Sequence, residues 1–149
     1  AFIFHNTVVT TAGGGNNVVG ESGGTPHSEN HTYRNNIFVC EASGRIYEDQ
    51  GRSNSYNYNL GYHPATNYAN NWDDNPANDY ATLAAFQSAT GEETNGLEGD
   101  PLFLNADKEI GCGSPARNAG VALNNFNDAD SAWPYKGSAP DMGYFEFQE

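Results

Sequence analysis

Basic residues are scarce. Six Lys and Arg, only two of them Lys, stand against 19 Asp and Glu, for a formal net charge of −13. Such a chain lacks the positive footprint that phosphates require, so nucleic acid is not an expected partner. Cysteine is nearly absent as well: two in 149 residues cannot staple a small disulfide scaffold. No apolar run approaches the ~18 residues of a membrane-spanning helix. Charged residues reach only 17% and apolar residues 37%. The balance is filled largely by 20 Asn and 17 Gly. Disorder is nevertheless excluded by the 8 Phe, 9 Tyr and 2 Trp, because disordered chains are poor in aromatic side chains. The length fits one domain of ~100–200 residues.

The chain opens inside a β-rich run, Phe2–Val9, with no initiator Met, no basic leader and no small-residue cleavage site. An opening of this kind is expected of the C-terminal piece of a longer protein. A strand-and-turn cadence continues through residue 62. Apolar runs at Val18-Val19, Ile37-Phe38-Val39-Cys40, Arg45-Ile46-Tyr47 and Ser55–Tyr62 alternate with loops rich in Gly, Asn and Pro, among them Thr10–Gly15 and Glu21–Asn30. Three segments share a form, Asn6-Thr7-Val8-Val9, Asn36-Ile37-Phe38-Val39 and Asn59-Leu60-Gly61-Tyr62. The spacing, 30 and then 23 residues, lies in the range of stacked repeats. Asn suits such corners for two reasons. It tolerates the left-handed backbone region, and its amide can both donate to and accept from an Asn in the next repeat. Asn6, Asn36 and Asn59 are therefore read as structural. A β-sandwich with regular turns is the competing architecture.

The pattern changes after residue 78. Residues 79–91 read as one helix, with Asn78 or Asp79 as N-cap, Gly91 as the stop, and Leu83, Phe86 and Tyr80 on its apolar face. Asp100-Pro101-Leu102-Phe103 is a turn feeding a short strand. Ser114–Gly120 is a further turn, and Ala139–Phe147 a final β segment.

Taken in order, these residues resemble the C-terminal region of secreted right-handed parallel β-helix proteins, which include polysaccharide-lyase-like and glycoside-hydrolase-like members. The resemblance is carried by Asn35-Asn36-Ile37-Phe38, Tyr58-Asn59-Leu60, the helix Thr82–Gly91, Asp100-Pro101-Leu102-Phe103, Gly113–Gly120 and Pro140–Glu146. It covers roughly residues 1–147. One motif departs: where relatives have an Asp-x-Asp-Gly-x-x-Arg-like loop, residues 127–135 contain neither the Gly nor the Arg. The resemblance implies an all-β, right-handed parallel β-helix of few coils. In that arrangement 1–62 form the coils, and 63–149 supply a short lateral helix and a capping tail. It also implies a carbohydrate-associated module, extracellular or at the cell surface, with either a catalytic or a purely binding or assembly role. The uncapped first strands at Phe2-Ile3-Phe4 are expected to dock on an upstream segment or another subunit.

Candidates for chemistry follow. Glu48, Asp49 and Arg52 border a strand that could face a polysaccharide. A lyase places a base and a charge-neutralising group there, and a hydrolase places two carboxylates. Adjacent residues on a strand point to opposite faces, so Glu48 and Asp49 make a poor pair and a solvated loop is the plainer reading. Trp72, Trp133, Tyr62 and Tyr135 fall in polar loops, where a ring can stack on sugar or cover the edge of a narrow core. Asp73, Asp74, Asp128 and Asp130 lie in oxygen-rich stretches suited either to Ca²⁺ or to solvent. His27 and His31, four apart in a loop, do not make a zinc motif. Asp100, Asp141, Glu146 and Ser114 are read as turn-stabilising residues. Cys40, at the end of an apolar strand, is read as a buried free thiol, and a bond to Cys112 is not deducible.

Overall fold

A computed structural model describes residues 1–11, 17–20, 29–41, 44–49, 53–64 and 67–147. Nine short strands and one α-helix make up its regular structure: β1 (Phe2–Phe4), β2 (Thr7–Thr10), β3 (Asn17–Gly20), β4 (Thr32–Arg34), β5 (Ile37–Cys40), β6 (Arg45–Glu48), β7 (Ser55–Asn57), β8 (Leu60–Tyr62), α1 (Leu83–Thr90) and β9 (Leu97–Glu98).

All strand pairs are parallel. They form three sheets, ordered β1-β4-β7, β2-β5-β8-β9 and β3-β6. The register repeats the Asn spacing read from the sequence. Thr7 pairs with Ile37 and Ile37 with Leu60, while Phe2 pairs with Thr32 and Thr32 with Ser55. Each run of strands thus lies directly on the one before it. No helix among the described residues is long and apolar enough to cross a membrane.

The corners between the first and second strands of each run are made by left-handed residues. These are His5, Asn35 and Tyr58, with φ of 51°, 56° and 56°, each one position before the Asn that the sequence pattern marks. The bend therefore belongs to the preceding residue. Asn6, Asn36 and Asn59 are freed to turn their amides along the stack.

β5 explains how a chain with so little apolar content builds a core. Its four residues are all buried. Phe38 and Cys40 join an inner cluster with Tyr33, Ile46, Tyr47, Tyr56, Tyr68, Leu83 and Phe86. Ile37 and Val39 join a second cluster with Leu60, Ile110, Ala116 and Met142. A parallel sheet covered on both faces reads as a continuous apolar run instead of an alternating one. The inner cluster is largely aromatic: Tyr33 and Tyr56, paired in register, stack at 4.5 Å and 10°. Gly61 sits where Phe38 sits one run earlier. A Cβ there would lie 2.7 Å from Tyr68, so the missing side chain admits the Tyr68 ring.

The helix, the tail and the segment after Asp100 differ from expectation. Residues 139–147 form no strand, and Phe103 makes a single antiparallel bridge, to Ile110, in place of a strand. The helix begins at Leu83 with Thr82 as N-cap, its side chain accepting from the Ala85 N–H. Asn78 and Asp79 are not the cap, because Tyr80 exchanges two backbone hydrogen bonds with Ala69, at 3.1 and 2.8 Å, and is held extended. Gly91 does terminate the helix, at φ 77°. Phe86 and Leu83 pack into the inner cluster. The tail lies along the outer face of the second sheet: Met142 and Ala116 cover Ile37 and Leu60, Met142 N–H donates to Ala116 O, and Gly143 N–H donates to Asn35 O.

Thr82→Ala is expected to lower stability by about 1 kcal/mol, the usual worth of an N-cap, read as a shift of the thermal midpoint. The Glu98 carboxylate, which accepts from the Leu83 N–H at 2.8 Å, keeps the helix start partly satisfied. A shift as large as that of a core truncation would contradict this account.

Candidate functional site

Asp49 follows directly on β6 and is 1% exposed, so it is not the solvated loop carboxylate expected. Its Oδ2 accepts from the Tyr56 hydroxyl at 2.6 Å, and Asn54 Nδ2 donates to the same oxygen at 3.2 Å. Glu48 turns the other way and accepts from Asn17 Nδ2, as period-two alternation requires. Arg52 lies outside the described residues, as does His27.

The Asp49 main chain also fixes what stands beside it. Its carbonyl accepts from the Asp73 N–H at 2.9 Å. That bond anchors the short turn Trp72–Asp74, which Asn78 closes by donating Nδ2 to Trp72 O. The Trp72 ring is half-buried, edge-on to Phe86 at 4.7 Å and to Tyr56 at 5.5 Å. On the other side of Tyr56, its backbone N–H donates to Glu92 Oε2 at 2.6 Å.

These groups line one open cleft of about 710 Å³, bounded by Asp49, Asn54, Trp72, Asp73, Tyr80 and Glu92. Burial pushes the Glu92 carboxyl above its ordinary value, with a smaller push from Asp49, against the Tyr56 N–H and the charge of Arg34. The lining holds no Lys or Arg among the described residues. Two carboxyl groups in different environments, beside aromatic rings and amides, can hydrogen-bond a polyhydroxylated ring and keep one acid protonated to higher pH.

The structure thus brings together Asp49, Trp72 and Asp73 from three separate sequence readings. Tyr80 and Asn78, read in sequence as a helix face and a helix cap, also line the cleft, as do Glu92 and Asn54, which were not singled out in sequence. Their only local signal was position, since Glu92 follows the helix stop and Asn54 precedes a strand. The other aromatic candidates lie elsewhere. Tyr62 lines a smaller recess of about 470 Å³ with Leu102, Phe103 and Lys108. Trp133, 71% exposed, stands beside Phe126 at 6.1 Å. Tyr135 is half-buried and donates its N–H to Asn127 O.

Among the described residues, no three His, Cys, Asp or Glu side chains gather as a metal ion would need. Asp128 accepts from the Asn125 N–H in its own turn, Asp130 is exposed, and the side chain of Asp74 lies outside the described residues. Asp100, Asp141 and Ser114 bond backbone N–H groups of Leu102, of Asn118 and Phe147, and of Ala116, and Glu146 bonds that of Asp141. Cys40 is a buried free thiol and Cys112 an exposed one. No protein family matches the chain, and neither does any curated protein or solved structure.

Proposed function

We propose that the chain is a carbohydrate-associated module of an extracellular or cell-surface protein, built as a right-handed parallel β-helix, and that the cleft at Trp72 holds a sugar ring. The three parallel sheets, in which strands from successive runs pair in register, support the architecture, and parallel strand connections are right-handed in nearly all proteins. The observation that carries the functional reading is the presence of Trp72 and Tyr80 on the same cleft as Asp49, Asn54, Asn78 and Glu92. Aromatic faces receive the apolar face of a sugar, while the carboxylates and amides take its hydroxyl groups.

The acidic lining favours neutral or amino sugars over uronates. A lyase would need a cation for the uronate carboxylate, and the described residues of the lining include no Lys or Arg. Glu92, whose carboxyl burial pushes above its ordinary value, suits the acid of a hydrolytic step.

The test is a panel of immobilised neutral, amino and uronic polysaccharides, scored for retention and for cleavage, with and without Ca²⁺. Retention on neutral or amino members is expected, with Trp72→Ala losing about tenfold in affinity, the scale of one aromatic contact. Glu92→Gln keeps an acceptor for the Tyr56 N–H, so it should retain binding and abolish any cleavage. No retention and no cleavage on any member would remove this reading.

A further inference from the structure

The asparagine stack has a direction. The backbone N–H and the Nδ2 of Asn6 both donate to Asn36 Oδ1, at 2.9 and 3.1 Å. Those of Asn36 both donate to Asn59 Oδ1, at 3.0 and 2.8 Å. The last rung is a carboxyl group: Asn59 N–H donates to Glu93 Oε2 at 3.2 Å and Asn59 Nδ2 to Glu93 Oε1 at 2.6 Å. Donors therefore face one way along the stack and acceptors the other. At the starting end, Asn6 is exposed and its Oδ1 accepts no hydrogen bond among the described residues. Among the described residues β1, β2 and β3 are each the terminal strand of their sheet, so no described strand pairs with their outer edges. Phe2 there is 79% exposed, in ring contact with Phe4, which in turn meets Phe126.

We infer that this end binds a polypeptide segment of the form strand–Asn–strand, added in parallel to β1 and β2, whose Asn donates its backbone N–H and side-chain amide to Asn6 Oδ1. The hydrogen-bond pattern selects this occupant. Parallel edges take a strand. An open acceptor between two such edges takes the pair of donors that every later interface in the stack already uses. A second copy of the chain does not meet the requirement. Apposing two starting ends sets Oδ1 against Oδ1. Apposing a starting end to the far end meets Glu93, which has no amide to donate and whose oxygens already accept from Tyr47 and Asn59.

The probe is a synthetic peptide copying residues 31–40 with Cys40→Ser, compared with the same peptide carrying Asn36→Asp, each added in excess to the full chain. Hydrogen exchange of residues 2–10 is the readout. The Asn peptide is expected to slow these amides by about tenfold, and the Asp peptide, which sets an acceptor against Asn6, by less than about twofold. Three results would overturn the proposal. One is no slowing with the Asn peptide. Another is equal slowing with both peptides, which would mean that any strand suffices. The third is a concentration-dependent rise in mass of the protein alone with protection of the same amides, which would place a second copy there.

Discussion

Glu93→Leu is expected to lower the unfolding free energy by about 3–5 kcal/mol, in the upper range for a single substitution. Three donors lose their acceptor: the Tyr47 hydroxyl at 2.6 Å, Asn59 Nδ2 at 2.6 Å and the Asn59 N–H at 3.2 Å. Tyr47, Asn59 and Glu93 are all 0% exposed, so water does not replace the lost bonds. Leucine is close to glutamate in volume, which makes the loss polar and not a cavity effect. Glu93→Gln keeps an acceptor for the stack and should cost much less. Urea titration of the two variants decides the matter. If they lose equal stability, Glu93 does not act as the terminal acceptor.

The second large effect is a dependence on pH. Burial raises the Glu93 carboxyl from an ordinary 4.5 to about 7, against the opposing hydrogen bonds from Tyr47 and Asn59 and the charge of Arg34. Between those two values the folded chain holds a proton that the unfolded chain has released. The stabilisation from this group is fully present below pH 4.5 and is lost as pH rises through about 7. His5 acts in the opposite sense. Burial lowers its pKa below 6.5, so its contribution is present above that value and fades as pH falls through the lowered one. Glu93→Gln isolates the first effect from the second. Relative to that variant, the natural chain should lose on the order of 3 kcal/mol between about pH 5 and pH 8. A constant difference across that window would show that Glu93 does not change its protonation there.

Why Glu93 escaped a reading of the sequence is itself physical. Leu97 pairs with Leu60, so the position equivalent to Asn59 is Gly96. Gly96 has no side chain, and a Cβ there would lie 2.5 Å from Glu93 Oε2. The rung is filled from three residues earlier, by a left-handed Glu with φ of 52°. A repeat pattern that looks for Asn just before an apolar pair passes over it. The three Asn rungs were legible because each adjoins its strand directly and the register keeps their spacing.

The cleft was legible only in fragments. Asp49 and Trp72 each stood out as a residue type in a particular setting, a carboxylate beside a strand and an indole in a polar loop. Their convergence depends on the Asp73 N–H reaching Asp49 O across the fold, which no local pattern encodes. Glu92 and Tyr80 gain their place from Tyr56 and from the pairing of Tyr80 with Ala69. That same pairing moved the helix start to Thr82, overriding a favourable cap at Asn78 or Asp79.

Composition and periodicity alone determined that this acidic chain forms short strands with asparagine-marked corners, and that one helix stops at Gly91. Those properties are local, set by side-chain shape, backbone preference and alternation. Which faces of the strands are covered, how the asparagine stack ends, and which carboxyl groups stand beside Trp72 were decided only by tertiary structure. Each depends on residues far apart in the chain meeting in a water-poor interior, where an unpaired polar group is costly enough to select one arrangement.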